Sequence, residues 1–481
     1  MKSMIKFGTG GWRAVIAEDF TFSNVRRVAK GAAQYLREVG QAHKPVVIGH
    51  DLRFLSGRFS RAFAEILAHE GIPVWFIEDV APTPMLMYAV HQEGLAMGIM
   101  VTASHNPPQY NGIKVIVEGG KDAPKEVTDR LEELIAPVPP LEAPEVRFEE
   151  LVKQGKIKLY SNKNAYIDSL LSQIDVKAVQ QLNLKVLFNP MFGVAKDIMA
   201  MCLASLRCSV DVMNAGRDTM FGQNVPSPSR DTLQDMEYRM KKGRYNIGIA
   251  TDGDSDRIGL YDELGNYIDA NEILKLLYYY LKKYRGERGG IVRNLTTTHI
   301  LDRIAASFGE PAFEVPVGFK YISQKMDEED LLMGGESSGG LKIRGHVNGK
   351  DGILAALLAV EMLAKTGKTL SQLLEEINRQ YGTLYFDSIN TPYQPKERQR
   401  LEGLLFTEKY VPDFGREMKQ VSYMDGVKFY FADDTWLSIR FSGTEPILRI
   451  FLEAADKDDA DRMKAVILND PRLNLKVRND A

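Results

Sequence analysis

Along the chain, stretches with helical spacing of apolar positions alternate with short unbroken apolar runs. Ser23–Val39 follows the helical period, Val46–Asp51 reads as a strand, Ser56–Glu70 as a helix ended by Gly71, Val74–Ile77 as a strand and Met85–Gln92 as a helix. Leu95–Val101 is the next buried strand. The alternation restarts with a helix over Ala165–Gln180, a strand at Lys185–Asn189, a helix over Val194–Leu206, a strand at Val210–Asn214, a helix over Asp231–Lys242 and a strand at Asn246–Thr251. It runs a third time through Glu272–Tyr284, Ile291–Leu295, His299–Phe308, Phe313–Val317, Tyr321–Glu329 and Leu331–Met333, closed by helices over Gly352–Lys365 and Leu370–Gln380. Strands alternating with helices predict mixed, mostly parallel sheets covered on both faces. The last hundred residues differ: strands at Val427–Phe431, Trp436–Phe441 and Ile447–Glu453 with one late helix over Asp458–Leu468 predict a smaller α+β unit. The expectation is three successive α/β domains over 1–155, 156–257 and 258–378, then an α+β domain over 379–481. The recurring pattern suggests structural duplication, although no sequence repeat accompanies it.

Length supports this division, because 481 residues exceed what one core usually holds. Hydrophobic residues at 44% and charged residues at 26% are ordinary for a globular chain. A net charge of −3 gives no global field toward nucleic acid or membrane, so an acidic ligand has to be held by local basic groups. Cys202 and Cys208 alone make neither a disulfide framework nor a zinc site. Met1–Lys6 has no signal-like apolar segment and no apolar run matches a bilayer, so the sequence reads as cytoplasmic.

Polar loops follow particular strands, and the chemistry is concentrated there. Ser104, His105 and Asn106 sit at the carboxyl end of the Leu95–Val101 strand, where open α/β sheets place reacting groups. Two prolines follow, and then Asn111-Gly112 turns the chain into Lys114. A turn-capping serine is the plain alternative. Phe7-Gly-Thr-Gly-Gly-Trp-Arg13 reads as a loop whose backbone can approach a ligand. Asp252, Asp254 and Asp256, with Arg257 attached, place three carboxylates together, which repel unless a hard cation sits among them. An EF-hand matches at those aspartates and at Glu263, but Arg257 stands where that loop needs glycine, and a strand precedes it. Glu336 and Ser338 lie between glycine pairs and can read sugar hydroxyls. Arg440, Ser442, Gly443 and Thr444, with Arg449 nearby, form a phosphate-holding set. His346, Lys350 and Lys320 are candidates for proton transfer or phosphate contact.

Thr102-Ala-Ser-His-Asn-Pro107, Asp252-Gly-Asp-Ser-Asp-Arg257, Gly335-Glu-Ser-Ser-Gly339 and Arg440-Phe-Ser-Gly-Thr-Glu-Pro446 occur in that order. Together they resemble the four loops of the α-D-phosphohexomutase family, the phosphoglucomutases and phosphomannomutases, over essentially the whole chain. The resemblance implies four domains around a central cleft. It implies that phosphorylated Ser104, beside Mg²⁺ on Asp252, Asp254 and Asp256, exchanges a phosphoryl group with a hexose phosphate through a 1,6-bisphosphate, with glucose 1,6-bisphosphate as activator. Ser104 would itself be a metal ligand. Arg13, His105, Lys114 and Arg257 would serve the catalytic side, and Lys114 is a proton-donor candidate. Lys320, Glu336, Ser338, His346, Arg440, Ser442, Gly443, Thr444 and Arg449 would bind substrate. Three positions depart from common family patterns: Ala14 in place of Gly, Ser337 in place of Glu or Met, and Gly340 in place of His. Glucose is the expected sugar, with mannose also accepted. The alternatives are a phosphoglucosamine mutase or, outside enzymes, a calcium- or sugar-binding protein. A monomer or homodimer without nucleic-acid or membrane partners is expected.

Overall fold

The computed structural model describes residues 5–8, 11–442 and 446–475. The first three units share one sheet plan. In the first, the strand order is Val74–Ile77, Val46–His50, Met97–Val101, Tyr110–Val117. In the second it is Ser209–Val212, Lys185–Asn189, Ile247–Thr251, Ile258–Tyr261. In the third it is Ala312–Val315, Ile291–Asn294, Met333–Gly335, Leu341–Ile343. In every case the first three strands are parallel and the fourth returns antiparallel beside the third. The turn from third strand to fourth is therefore the same topological position three times over. It holds Ser104, then Asp252–Arg257, then Glu336–Gly340. The duplication suspected from the sequence pattern is thus carried by topology.

The sheets extend further than the sequence pattern indicated. Gly11–Val15, expected as loop, is a strand paired with Tyr110–Val117 in the register Trp12↔Ile113. Ile157–Tyr160 pairs in parallel with Val74–Ile77, so the first sheet runs past residue 155. Ile258–Tyr261 and Tyr267–Ile268 complete the second sheet, which runs past residue 257. Past the proline-rich stretch near 137–144 the chain returns to close the edge of the first sheet. Ala165–Gln180 is two helices, Lys163–Ser172 and Val176–Gln180, and Asp175 caps the second by accepting from the Ala178 N–H at 3.1 Å. The fourth unit is one antiparallel sheet ordered Tyr385–Pro392, Ile447–Ala454, Trp436–Phe441, Val427–Phe431, Met418–Ser422, with the helix Lys457–Leu468 against it.

One apolar core is shared by the first three units, while the other face of the first sheet carries its own cluster with Val28, Phe63 and Ile99. The shared core joins Met100 and Ile116 of the first to Phe188 and Ile249 of the second and Leu277 and Leu357 of the third. The helix Gly352–Thr366 is buried at every position from Gly352 to Leu363, because it packs against elements of both the second and the third unit. The fourth unit keeps a separate core built on Phe429, Ile439, Ile450 and Met463. Among the described residues, no helix is long and apolar enough to cross a membrane.

Candidate active site

The loop after Met97–Val101 is held from behind by Arg53. Its guanidinium donates to the carbonyls of Ser104 at 2.7 Å, Pro107 at 2.8 Å and Tyr110 at 3.1 Å, and also to that of Asn106. Asp51 faces Arg53 at 3.4 Å and accepts from Thr102 Oγ1 at 2.6 Å and Ser56 Oγ at 2.7 Å. Four carbonyls on one rigid planar fork fix the loop's path. They hold Ser104 in the left-handed region at φ 51°, a conformation that costs an L-residue on the order of 1 kcal/mol. In that conformation Ser104 Oγ donates to Asp252 Oδ2 at 2.9 Å and lies 3.4 Å from His105 Nδ1. Gly112 allows the neighbouring strand to approach, since a Cβ there would lie 2.6 Å from the carbonyl oxygens of Thr102 and Trp12. That strand delivers Arg13, which donates to Asn106 Oδ1 at 2.6 Å.

Asp252, Asp254 and Asp256 are buried, with ligand-capable atoms within 4.8 Å of one another. Asp252 Oδ1 accepts from the backbone N–H groups of Asp256 at 3.0 Å and Arg257 at 3.1 Å. Lys114 Nζ donates to Asp254 Oδ2 at 2.6 Å and Asp256 Oδ2 at 2.7 Å, and Lys350 Nζ reaches Asp256 Oδ2 at 3.0 Å. Thr83 Oγ1 donates to Asp254 Oδ2 at 2.5 Å. Even so, Asp254 Oδ1 and Asp256 Oδ1 are buried without a hydrogen-bond partner. Two orphaned carboxylate oxygens in an all-oxygen cluster fit a hard divalent cation. Strands on both sides of this loop exclude an EF-hand, and Glu263 is engaged by Ser371 instead.

Charge is distributed unevenly across the cluster. Burial, then repulsion from Asp256 and Asp254, pushes Asp252 well above the usual carboxylate range. Burial also works against ionised Asp256, but Lys114, Lys350 and Arg257 outweigh it and hold that carboxyl well below the range. Burial pulls Lys114 down, yet Asp254 and Asp256 raise it overall, so it remains a cation. Arg257, then burial, then Arg13 push His105 well below the ordinary histidine value. The same cations and burial that keep its ring neutral beside Ser104 disfavour its protonated form.

The third loop packs directly on the second. Arg257 bridges to Gly340, and the Ile258 N–H donates to the Gly339 carbonyl at 3.3 Å. Glu336 is buried, and its Oε1 accepts from the Gly318 N–H and from Asn294 Nδ2, each at 3.2 Å. Ser338 Oγ donates to Glu336 Oε2 at 3.3 Å. Gly340 has a steric consequence: a Cβ there would lie 2.3 Å from Lys350 Cδ, so the glycine leaves the lane through which Lys350 reaches Asp256.

Two candidates stand apart. His346 Nε2 pairs with Asp351 Oδ2 at 2.7 Å, and its side chain is only 2% exposed. Asp351 caps the helix Gly352–Thr366 through the Ile353 and Leu354 N–H groups and also receives the Tyr166 hydroxyl, so His346 belongs to a buried cap. That placement puts His346, expected from the sequence to bind substrate, in the cap of a buried helix. Lys320 lies over the Tyr321 ring at 5.1 Å.

In the fourth unit, Arg440 and Arg449 stand directly opposite on paired strands. Like charges in that position repel and favour an anion between them. Arg440 donates to Asp425 Oδ2 at 2.7 Å, and the Ser442 N–H donates to the Ile447 carbonyl at 2.9 Å. Gly443 and Thr444 lie outside the described residues.

Comparison with known proteins gives the same order of units. Models of phosphoglucomutase/phosphomannomutase α/β/α domains I, II and III match residues 4–139, 164–265 and 269–381, and the model of that family's C-terminal domain matches 405–469. A phosphoglucomutase/phosphomannomutase of Thermococcus kodakarensis is 30% identical over 94% of this chain and 95% of its own length. The chain belongs to the phosphoglucomutase/phosphomannomutase family. As a member it is an enzyme, a phosphohexomutase of the isomerase class. A candidate phosphomannomutase from Thermus thermophilus has the same fold, with a TM-score of 0.84, 30% identity and 98% and 99% coverage of the two chains. The family also reaches amino sugars: a phosphoglucosamine/phosphogalactosamine mutase of Sulfurisphaera tokodaii is 26% identical over 95% of this chain and 97% of its own.

Sequence reasoning passed over Asp51, Arg53 and Thr83 in this mutase. Asp51-Leu-Arg53 begins at the carboxyl end of Val46–His50, the same kind of position that drew attention to Ser104. Applying that rule to every strand would have found both residues.

Proposed function

We propose that this phosphohexomutase interconverts hexose 1-phosphates and hexose 6-phosphates, with glucose as its first sugar and mannose also accepted. Ser104 carries the phosphoryl group, and the reaction passes through a 1,6-bisphosphate. The observation that carries the reading is Ser104 Oγ at 2.9 Å from Asp252, beside two buried carboxylate oxygens without partners. Asp252, Asp254 and Asp256 would hold Mg²⁺, which when bound neutralises charge on the transferring phosphoryl group. Arg53 fixes the backbone that presents Ser104. His105 lies against Ser104 Oγ, and Lys114 and Lys350 reach into the acidic cluster. Glu336 and Ser338 bind sugar hydroxyls, and Arg440 and Arg449 hold the phosphate that is not reacting.

A glucosamine phosphate is the second reading. It is favoured by Glu336, a buried carboxylate that can accept from an ammonium as readily as from a hydroxyl. The test is turnover of glucose, mannose and glucosamine 1-phosphates side by side, with Mg²⁺ and a trace of glucose 1,6-bisphosphate. Fastest conversion of glucose 1-phosphate, absent in Ser104→Ala, is the expected result. Preference for glucosamine 1-phosphate would install the second reading, and full turnover by Ser104→Ala would remove Ser104 as carrier.

A further inference from the structure

Asp425 occupies the turn between the strands Met418–Ser422 and Val427–Phe431, and nothing in the sequence marks it. Its Oδ2 accepts from Arg440 NH2 at 2.7 Å and from the Val317 N–H of the third unit at 2.9 Å. The next N–H along, that of Gly318, donates to Glu336 Oε1 at 3.2 Å. Two successive amides of one turn are therefore bound, one by a carboxylate on the phosphate arginine and the other by the sugar-reading carboxylate. Gly318 adopts φ 131°, which lets both amides point outward. The adjoining Gly426, at φ 80°, lets the Asp425 turn lie against the arginine, since a Cβ there would sit 2.8 Å from Arg440 Cγ. The pair is only partly shielded, with side-chain exposures of 17% for Arg440 and 26% for Asp425, so a phosphate arriving at Arg440 still has access.

We infer that Asp425 is a positioning residue that sets the distance between the phosphate clamp and the sugar reader. This rests on the reading of Arg440 as a phosphate-binding group. A hexose phosphate has a fixed span between its sugar hydroxyls and its phosphate, so a site split between two units needs a strut of fixed length. The chain Arg440, Asp425, Val317–Gly318, Glu336 is such a strut, with three hydrogen bonds, each ending on a carboxylate, joined through one peptide unit. The same contact turns the guanidinium plane, which a lysine at 440 would not exploit.

The experiment compares steady-state kinetics on glucose 1-phosphate for the wild type, Asp425→Asn, Arg440→Lys and the double variant, with thermal midpoints measured alongside. Losing a charge-assisted link predicts a KM about tenfold higher in Asp425→Asn, with kcat within about twofold and an unchanged midpoint. The two substitutions act on one link, so the double variant is expected to be little worse than Arg440→Lys alone. Asp425→Glu, which keeps the charge but lengthens the strut, should recover only part of the loss. An unchanged KM in Asp425→Asn beside a raised KM in Arg440→Lys overturns the inference and leaves the phosphate reading standing. A KM unmoved by Arg440→Lys overturns that reading and the inference with it. A lowered midpoint with kcat falling and KM constant would mean a structural contact only, and also overturns it.

Discussion

Asp252, Asp254 and Asp256 in the second unit, and Arg293, Glu314 and Lys428 where the third unit meets the fourth, are both buried groups of charges, and they are finished differently. At the second place Arg293 forks onto Asp302 and Glu314, with bonds of 2.8 and 2.5 Å to the first and 2.5 Å to the second. Lys428 Nζ donates to Glu314 Oε2 and the Leu295 carbonyl, each at 2.7 Å, and meets His299 Nε2 at 3.0 Å. Trp436 Nε1 and the His299 N–H close the set on Glu453 at 2.8 and 2.9 Å. No buried side-chain oxygen or nitrogen of Arg293, Glu314 or Lys428 lacks a partner, whereas Asp254 and Asp256 each keep one that does. A saturated cluster fixes an interface, and an unsaturated one leaves room for an ion. Burial alone therefore does not identify a functional charge group; what sets this one apart is that two leftover oxygens, of Asp254 and Asp256, belong to one cluster of three carboxylates.

The sharpest way to break this comparison is to remove one charge from each cluster. Asp252→Asn is expected to lower turnover by about a thousandfold, a cost typical of losing a key electrostatic group, while leaving the thermal midpoint level or higher because burial and the neighbouring carboxylates oppose its charge. Lys428→Met should do the reverse. It should cost about 3 kcal/mol of stability in denaturant unfolding, because it strips a partner from a buried carboxylate, and leave the Mg²⁺ affinity unchanged. If both variants lose stability equally, the distinction fails. A smaller effect sharpens it: Mg²⁺ at a hundredfold excess over its Kd should stabilise the wild type by about 2.7 kcal/mol and Asp252→Asn by almost nothing.

The smallest effect comes from pH. Burial, then Arg293, lowers His299 to about 4, and Glu314 only partly opposes this. The unfolded chain takes up a proton near 6.5 that the folded chain refuses until about 4, so stability falls as pH drops through that window. Between pH 6.5 and 5 the loss attributable to His299 is about 2 kcal/mol at most, and His299→Gln should flatten it. Lys428 is drawn down to about 7 by burial and then by Arg293, so its contribution to stability rises with pH above neutrality. Asp302, Glu314, Glu453 and Tyr430 face the same cluster, which makes the variant comparison more informative than the wild-type profile alone.

Strongly buried elements were legible in the sequence. Ile247–Thr251 and Met97–Val101 are buried at every position, and their apolar runs announce them. Tyr385–Pro392 and Met418–Ser422 were missed because they are largely exposed and alternate weakly. Gly11–Val15 was hidden by its glycine-rich surroundings, although Gly11 serves close strand approach. In the site, residues carried on one contiguous motif could be read, Ser104 and the three aspartates among them. Arg53, Thr83 and Asp425 act across 51, 171 and 108 residues of chain, and no local spacing encodes such pairings. His346 drew attention because histidine suits proton transfer, but only the partner Asp351 reveals that it closes a helix cap.

The apolar core shared by the first three units, with a second cluster on the other face of the first sheet, is set against the separate core of the fourth, and this has a calorimetric consequence. Heat should be absorbed in two unequal steps. One comes from a body of roughly 380 residues that melts as a whole, and the other from roughly 90 residues that melt by themselves. At about 0.7 kcal/mol per residue, the enthalpies are about 270 and about 60 kcal/mol. A hexose phosphate held by both bodies would bring the two endotherms together, so the merging of heat peaks would report that a ligand spans the joint.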